Sequence, residues 1–350
     1  MSEGGGSTKA TEVPRPHLTW VGWRYVLGRV VREFFPVGIL DKAAMLTFFT
    51  VLSFAPTLLA VYSIATLILA NNADLVGTLV GDVITEYVPA EYQETVRDVV
   101  SMVLGSSMGG ILGLIAGVLT SLWSASAYVR AFSRCSNHLY GQAEGRTLIR
   151  TFGTMLGTTL LLQIGMVIIL AALVLNESVV SAVLGPIAGP LGLGDVLDYL
   201  LGVFLPVWRW ARWPVILVLT NMLIAVMYYY TPNVKQPRFR WLSWGAVVAM
   251  AGIGLVAGAF WLYLSYLTGL SSYGAIGTVL ALMFALWGAN ISLVLGVKVD
   301  AEVERARQLK AGIPAERDIQ LPLRGTTALI KQDAAREKVE ERGRELRGGT

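Results

Sequence analysis

Apolar residues in this chain gather into long unbroken runs rather than the alternating pattern of half-buried strands. Six runs cover roughly residues 45–70, 108–129, 152–175, 214–230, 242–267 and 273–297. None holds Asp, Glu, Lys, Arg or His in its interior. A helix of about 20 apolar residues, rising 1.5 Å per residue, crosses a hydrocarbon core of about 30 Å. The pattern predicts an all-α polytopic membrane protein with six transmembrane helices. The fourth run is the shortest, and its helix can begin earlier.

Between the runs the pattern becomes amphipathic. In "WVGWRYVLGRVVREFF", Trp20, Trp23, Leu27, Val30 and Phe34 share one helical face, and Arg24, Arg29 and Arg32 lie off its centre. That predicts a helix lying in the headgroup plane. The first long loop sets Leu75, Leu79 and Val83 before Pro89, and Val96, Val99, Val100 and Val103 after it, which predicts a helical hairpin. In the second, "DVLDYLLGVFLP" follows a Gly/Pro turn and is too short to span, so it reads as re-entrant or interfacial. The expected organisation is a disordered leader (1–17), an interfacial helix (18–40), a six-helix membrane domain (41–300) and a charged tail (301–350).

Composition agrees. Hydrophobic residues make up 54% and charged residues 15% of 350, and mean hydropathy is +0.59. A soluble domain carries about a quarter charged residues. Loop charge then orients the spans. The region before the first span holds Arg15, Arg24, Arg29, Arg32 and Lys42, and the loop at 130–150 has four arginines against Glu144. The loop after the first span holds Asp74, Asp82, Glu86, Glu91, Glu94 and Asp98 against Arg97. Basic loops stay inside, which puts both termini in the cytoplasm. Arg209 and Arg212 fall on the outer side among Trp208, Trp210 and Trp213, as an interfacial belt. The tail from Lys298 onward mixes twelve cations with ten acids. It reads as a solvated helix with pairs such as Glu340–Arg344, or as a site for a cytoplasmic partner.

The stretch "YYYTPNVKQPRFRWLSW" interleaves Lys235, Arg238 and Arg240 with aromatic rings. Such mixing occurs on nucleic-acid surfaces, but uncharged runs flank this one on both sides. It is a membrane-edge loop, with no nucleic acid expected as partner. No phosphate-cradling Gly-rich motif occurs, and the two histidines, His17 and His138, sit in no metal-ligand spacing. No cofactor, metal or catalytic residue is expected.

The spans do carry neutral polar groups. Ser53 lies beside Pro56, which removes a backbone donor and frees a carbonyl that must be satisfied inside the bundle. Gln163, Asn221 and Asn290 provide either interhelical hydrogen bonds or a polar pathway. Small residues recur every four positions at Gly109, Gly113 and Gly117, at Gly153 and Gly157, at Gly254 and Gly258, and at Gly277, Ala281, Ala285 and Ala289. These stripes predict close helix packing. At the end of the second span, Trp123, Ser126, Arg130 and Arg134 form a stripe expected to face the bundle interior, with Arg130 at its mouth. The alternative has both arginines snorkelling to headgroups.

"SLWSASAYVRAFSRCSNHLYG", "YYYTPNV" and "SSYGAIGTVLALMFALW" together resemble the BrkB/YihY family of bacterial inner-membrane proteins. The resemblance covers residues 41–302. It rests on Ser53 and Pro56; Leu122, Trp123, Ser124 and Ser126; Asn137, Tyr140 and Gly141; Pro232, Asn233 and Gly245; and Tyr273, Gly274, Gly277, Trp287 and Gly296. This chain departs from the pattern in having Lys298 and Asp300 after the final glycine, and Phe48–Phe49 where tyrosine is common. The resemblance implies a multi-pass inner-membrane protein. Members have carried the label ribonuclease BN, have been linked to virulence and serum resistance, and have been proposed to transport.

The expected function is transport without an ATPase, moving lipid or another amphiphile between leaflets. Ser53, Pro56, Trp123, Ser124, Ser126, Asn221 and Asn290 would line the pathway. Arg130, Arg134, Lys235, Arg238 and Arg240 would meet an anionic group, each cation contributing about 1 kcal/mol near an anionic surface. Asn137, Pro232, Asn233, Tyr273 and Gly274 mark the family-motif loops. The alternative is a non-transporting scaffold or envelope-integrity protein. Expected partners are membrane lipids, with a second copy of the chain or a cytoplasmic protein held through the tail. A polar cavity at the midplane favours transport; a solid bundle with these groups paired favours the scaffold.

Overall fold

Inside a bilayer each backbone N–H and C=O must find its partner within the segment, so apolar runs become helices. The computed structural model follows that rule. It describes residues 17–68, 90–105, 111–188, 192–236, 238–267 and 274–348, with scattered positions between 77 and 88. In chain order the helices are α1 (Trp20–Glu33), α2 (Ile39–Ile68), α3 (Gln93–Gly105), α4 (Ile111–Leu139), α5 (Leu148–Val174) and α6 (Glu177–Ala188). They continue with α7 (Gly194–Tyr199), α8 (Leu205–Tyr230), α9 (Trp244–Leu262), α10 (Gly274–Lys310) and α11 (Thr327–Gly348). Among the described residues the β-pairing is a single antiparallel bridge, Val234–Leu323.

Four helices of the described residues are long and apolar enough to cross a membrane: Leu148–Val174, Gly194–Tyr230, Trp244–Tyr266 and Val279–Lys310. The second corrects the reading of "DVLDYLLGVFLP". That segment is no separate re-entrant element; a π-helical turn at Leu200–Phe204 joins α7 to α8. The tryptophan-arginine belt is also more specific than expected. Trp208 Nε1 donates to Ala172 O, and Arg212 donates to Leu173 O. Both satisfy orphan carbonyls at the C-terminal end of α5.

Helix packing follows glycines, but not the ones in the regular stripes. Nothing approaches a Cβ built at Gly153, Gly157, Gly254 or Gly258. The close approaches fall at Gly245 and Gly252 on α9 and at Gly288 and Gly296 on α10. A Cβ at Gly245 would lie 2.1 Å from Gly296 O, and one at Gly296 would lie 2.2 Å from the Tyr228 hydroxyl. The absent side chains let the two helices meet backbone to backbone. α2 packs on α4 and α10, α5 on α8 and α4, and α1 on the C-terminal half of α10. Gly109 lies outside the described residues, as do the side-chain surroundings of Gly113 and Gly117.

The buried core sits at one end of the bundle. Ile39, Leu46, Phe132, Tyr228, Val234, Val294 and Ile319 join there in one cluster. A smaller cluster of Val26, Val30, Val299, Val303 and Ala306 lies beneath α1. Away from this polar end, Leu255, Trp261, Leu280 and Phe284 are exposed, as lipid-facing side chains are. α1 divides its apolar residues. Val30 is buried, Trp23 packs edge-on against Trp244, and Phe34 joins the main cluster, whereas Trp20 and Leu27 stay exposed with Val31 and Phe35. The single apolar face read from the sequence is therefore two faces, one on the bundle and one free.

α10 runs on for more than three turns past the expected end of the sixth span, through the expected border at 300/301. The chain then crosses back over the polar end. Lys235 N–H donates to Pro322 O, and Arg324 N–H to Asn233 O. Beyond this strap, α11 is exposed, with an Arg336–Glu340 pair at 3.0 Å where Glu340–Arg344 was expected.

Candidate functional site

The polar groups of the spans bond to one another and to backbone carbonyls, while Asn221 Oδ1 is buried without a partner among the described residues. Ser53 Oγ donates to Phe49 O and contacts Ser124 O at 3.1 Å. Ser126 Oγ donates to Trp123 O and accepts from Arg130. Asn290 accepts from the Tyr128 hydroxyl at 2.9 Å and donates to Thr47 Oγ1 and Leu286 O. Gln163 donates to Ser121 Oγ. Asn221 donates to Trp241 O, back along its own loop. Pro56 lies inside α2, half-buried. None of these residues lines the polar cavity described below.

The stripe on α4 does not face inward as a unit. Ser126 is buried, Trp123 is 62% exposed, and Arg134 is exposed. Arg130 lies half-buried over the Trp123 and Phe152 rings, at 5.6 and 5.8 Å. Consecutive i+3 and i+4 steps drift around a helix, so the stripe spans both a packed and an open face. Tyr273 lies outside the described residues, and Gly274 opens α10.

Where the structure concentrates polar contacts is at the family-motif loops. Asn233 is fully buried beside Pro232. Its N–H donates to Asn137 Oδ1 at 2.6 Å, and its side-chain amide donates to Ala143 O and Gly325 O. Gly325 N–H returns a hydrogen bond to Asn233 Oδ1. Asn137 in turn donates to Glu144 Oε2. Glu144 receives Arg146 Nε at 2.8 Å and Nη2 at 2.6 Å, and buried Arg146 also donates to Thr231 O. Arg324 closes the knot by donating to Val234 O and Tyr229 O, its guanidinium 4.7 Å from the Tyr229 ring. Two loops and the strap are thus tied through one asparagine.

A second polar cluster locks α1 to α10. Glu302 is fully buried and accepts from Lys298 Nζ at 2.7 Å and Arg305 Nε at 3.0 Å. Arg29 Nε lies 2.9 Å from its Oε2 as an ion pair rather than an aligned hydrogen bond. Glu33 joins through Lys298 and Arg29. Arg305 extends the cluster to the strap, donating to Ala315 O and Arg317 O. Sequence reasoning missed Glu302, Arg305, Arg146 and Arg324 as site-forming residues. Their signal, a charge beside an apolar run, is the same as that of a solvated anchor.

These carboxylates carry a pH prediction. Burial alone pushes Glu144 up, but the hydrogen bonds and charge of Arg146, with Asn137, hold it below its ordinary 4.5. Glu33 is likewise pushed up by burial and brought below 4.5 by Lys298 and Arg29. A depressed carboxyl stabilises the fold above its unfolded pKa, and that contribution disappears as pH falls through the folded value. Hydrogen-exchange protection of residues 20–33 and 137–146 is expected to hold from neutrality to near pH 4.5 and to fall below it. Unchanged protection well below that pH would contradict the assignment.

Between these clusters lies a cavity of about 40 Å³, bordered by Tyr140, Tyr228, Tyr229, Gln236, Arg238, Arg240, Ser243, Asp300 and Glu304, with Leu321 of the strap at its edge. Of the predicted anionic-group residues, it gathers Arg238 and Arg240. Lys235 is exposed beside it, and Arg130 and Arg134 are not part of it. Asp300 accepts from Ser243 Oγ at 2.6 Å and from Gly245 N–H at 2.8 Å, while Ser243 Oγ accepts from Ala246 N–H. It therefore completes the N-terminal cap of α9, where a negative charge also complements the helix dipole. Burial first, and then the charges of Asp300 and Glu304, push the Tyr140 hydroxyl well above its ordinary pKa. It stays protonated and accepts from Gln236 at 3.3 Å. Among the described residues no group of three His, Cys, Asp or Glu side chains is arranged to hold a metal ion.

The sequence model of virulence factor BrkB matches residues 30–319. A Bacillus subtilis (strain 168) protein, YfkH, named as ribonuclease-like, is 30% identical over 272 residues, which covers 77% of this chain and 91% of that one. No solved structure matches. The matched span takes in both tied loops, the cavity apart from Leu321 and the ion cluster apart from Arg29, and on it the chain belongs to the virulence factor BrkB family.

Proposed function

We propose that the chain is a multi-pass protein of the bacterial inner membrane that acts at its cytoplasmic end as a non-transporting scaffold. One observation carries the reading: the side chains of Ser53, Ser126 and Asn290 bond to neighbouring groups or to their own helices inside the bundle. A pathway for a polar solute needs such groups turned toward water. The topology we propose is six spans with both termini cytoplasmic. α2 and α4, at 30 and 29 residues, add two helices of spanning length to the four apolar ones, and the basic loops supply the orientation. The exposed face of α1 would lie in the headgroup layer, and exposed α11 would be offered to a cytoplasmic partner.

Transport of lipid or another amphiphile, without an ATPase, is the second reading. The cavity with its two arginines at the polar end and Pro56 within α2 favour it. Reconstitution into liposomes separates the two. The scaffold reading expects no lipid or solute movement above an empty control; flux that depends on the protein overturns it. A nuclease role is not proposed, because Glu33, Glu144 and Glu302 each sit against a cation rather than poised toward a substrate. RNA cleavage by pure protein, lost on mutating these acids, would reverse that.

A further inference from the structure

The sequence predicts that the cytoplasmic cations meet an anionic group, yet the cavity that gathers two of them also holds two acids. Arg238 and Arg240 stand against Asp300 and Glu304. A bare phosphate drawn to the arginines meets two carboxylates, and a bare amine drawn to the acids meets two guanidiniums. Complementarity requires a ligand with both signs.

The layout also has a direction. Tyr140 and Tyr228 are buried and border the cavity with Asp300. A carboxylate beside aromatic faces is a setting for an ammonium group. Capping of α9 uses one acceptor position on each Asp300 oxygen, and a carboxylate oxygen has a second. The arginines come from the loop between α8 and α9, where Arg238 is exposed. Guanidinium groups at a rim suit a phosphate, which they hold through paired N–H donors. Size agrees: about 40 Å³ has room for on the order of three waters, enough for an amine end but not for a whole headgroup. The phosphate would remain at the mouth.

We infer that this cavity binds a small zwitterion bearing a phosphate and an ammonium group, with the ammonium against Asp300 and the tyrosines and the phosphate at Arg238 and Arg240. The inference deepens the cytoplasmic-end reading by naming a ligand class for that end, and it stands whether or not the protein moves a solute.

The test is calorimetric titration of the full-length protein, in phosphatidylglycerol nanodiscs, with O-phosphoethanolamine, inorganic phosphate and ethanolamine. Saturable binding of O-phosphoethanolamine is expected, with each half at least about tenfold weaker, since each half forgoes one charge-assisted hydrogen bond. Arg240→Gln and Glu304→Gln should each weaken binding about tenfold as well. Neither position caps a helix, so these variants report the site if Asp300→Asn fails to fold. Nanodiscs containing phosphatidylethanolamine separate the sources. Competition with the soluble probe identifies a lipid headgroup, no competition identifies a free solute, and both support the zwitterion site. Phosphate binding as tightly as O-phosphoethanolamine, or absence of binding by all three in both nanodiscs, overturns it. Protein-dependent flux in liposomes would overturn the scaffold reading alone.

Discussion

Replacing Glu302 with alanine is expected to free α1 from α10 and to destabilise the protein by about 3–5 kcal/mol, the range for breaking a buried ion pair from one side. The size comes from what is left behind. Lys298 and Arg305 are almost wholly buried, and Arg29 lies against the same carboxylate. With Glu302 gone, Lys298 keeps Glu33, but Arg305 keeps only backbone carbonyls of the strap. Thermal unfolding of the detergent-purified protein measures the loss. Hydrogen exchange should rise in residues 20–33 and 311–325, which the network joins. Pairing Glu302→Gln with Arg305→Met also removes the cation left uncompensated and should cost much less, a non-additivity expected of directly coupled residues. Unchanged melting and exchange in Glu302→Ala would show that the network holds nothing.

Asn233→Asp is expected to be nearly as severe, although the two side chains have the same shape. The fully buried Asn233 amide donates to Ala143 O, on an exposed residue, and Gly325 O, on a half-buried one, each at 3.1 Å. A carboxylate turns an acceptor toward both. The lost donations at the buried position 233 cost about 1–3 kcal/mol, and burying the new charge adds to it. Gly325 would detach first, because its carbonyl and its N–H both depend on this side chain. Limited proteolysis should then cut residues 311–326 faster than in the parent protein. Equal cleavage rates would mean that the strap is held by other contacts, such as Arg324 on Tyr229.

Both residues show how the site was and was not legible. Asn137, Pro232 and Asn233 were marked by resemblance, yet what they do was not readable. Asn233 finds its partners 90 and 92 residues away. Arg238 and Arg240 were read as an anion site because their loop holds no acid; Asp300 and Glu304 reach the cavity from α10. The pairs Gly153–Gly157 and Gly254–Gly258 failed as contacts for a related reason. Spacing of four is a property of one helix, but contact depends on which way a neighbour turns, and the neighbours meet at Gly245 and Gly296 instead. The fourth span begins earlier, as its short run allows: α8 starts at Leu205, ahead of Arg209, Arg212 and Pro214, which interrupt the apolar pattern.

The sequence by itself determined the helical class, the apolar runs and the polarity of the loops. Partition into a bilayer is a sum over the residues of one segment, and that sum is complete before any helix meets another. Only the tertiary structure decided which polar groups are working surface and which are internal fastening. Lys298 reaches Glu33 across 265 positions, a meeting set by the rotation and depth of α1 against α10. In sequence these are charges beside an apolar run, indistinguishable from anchors in water; in the fold Lys298 is buried, and burial makes a partner obligatory.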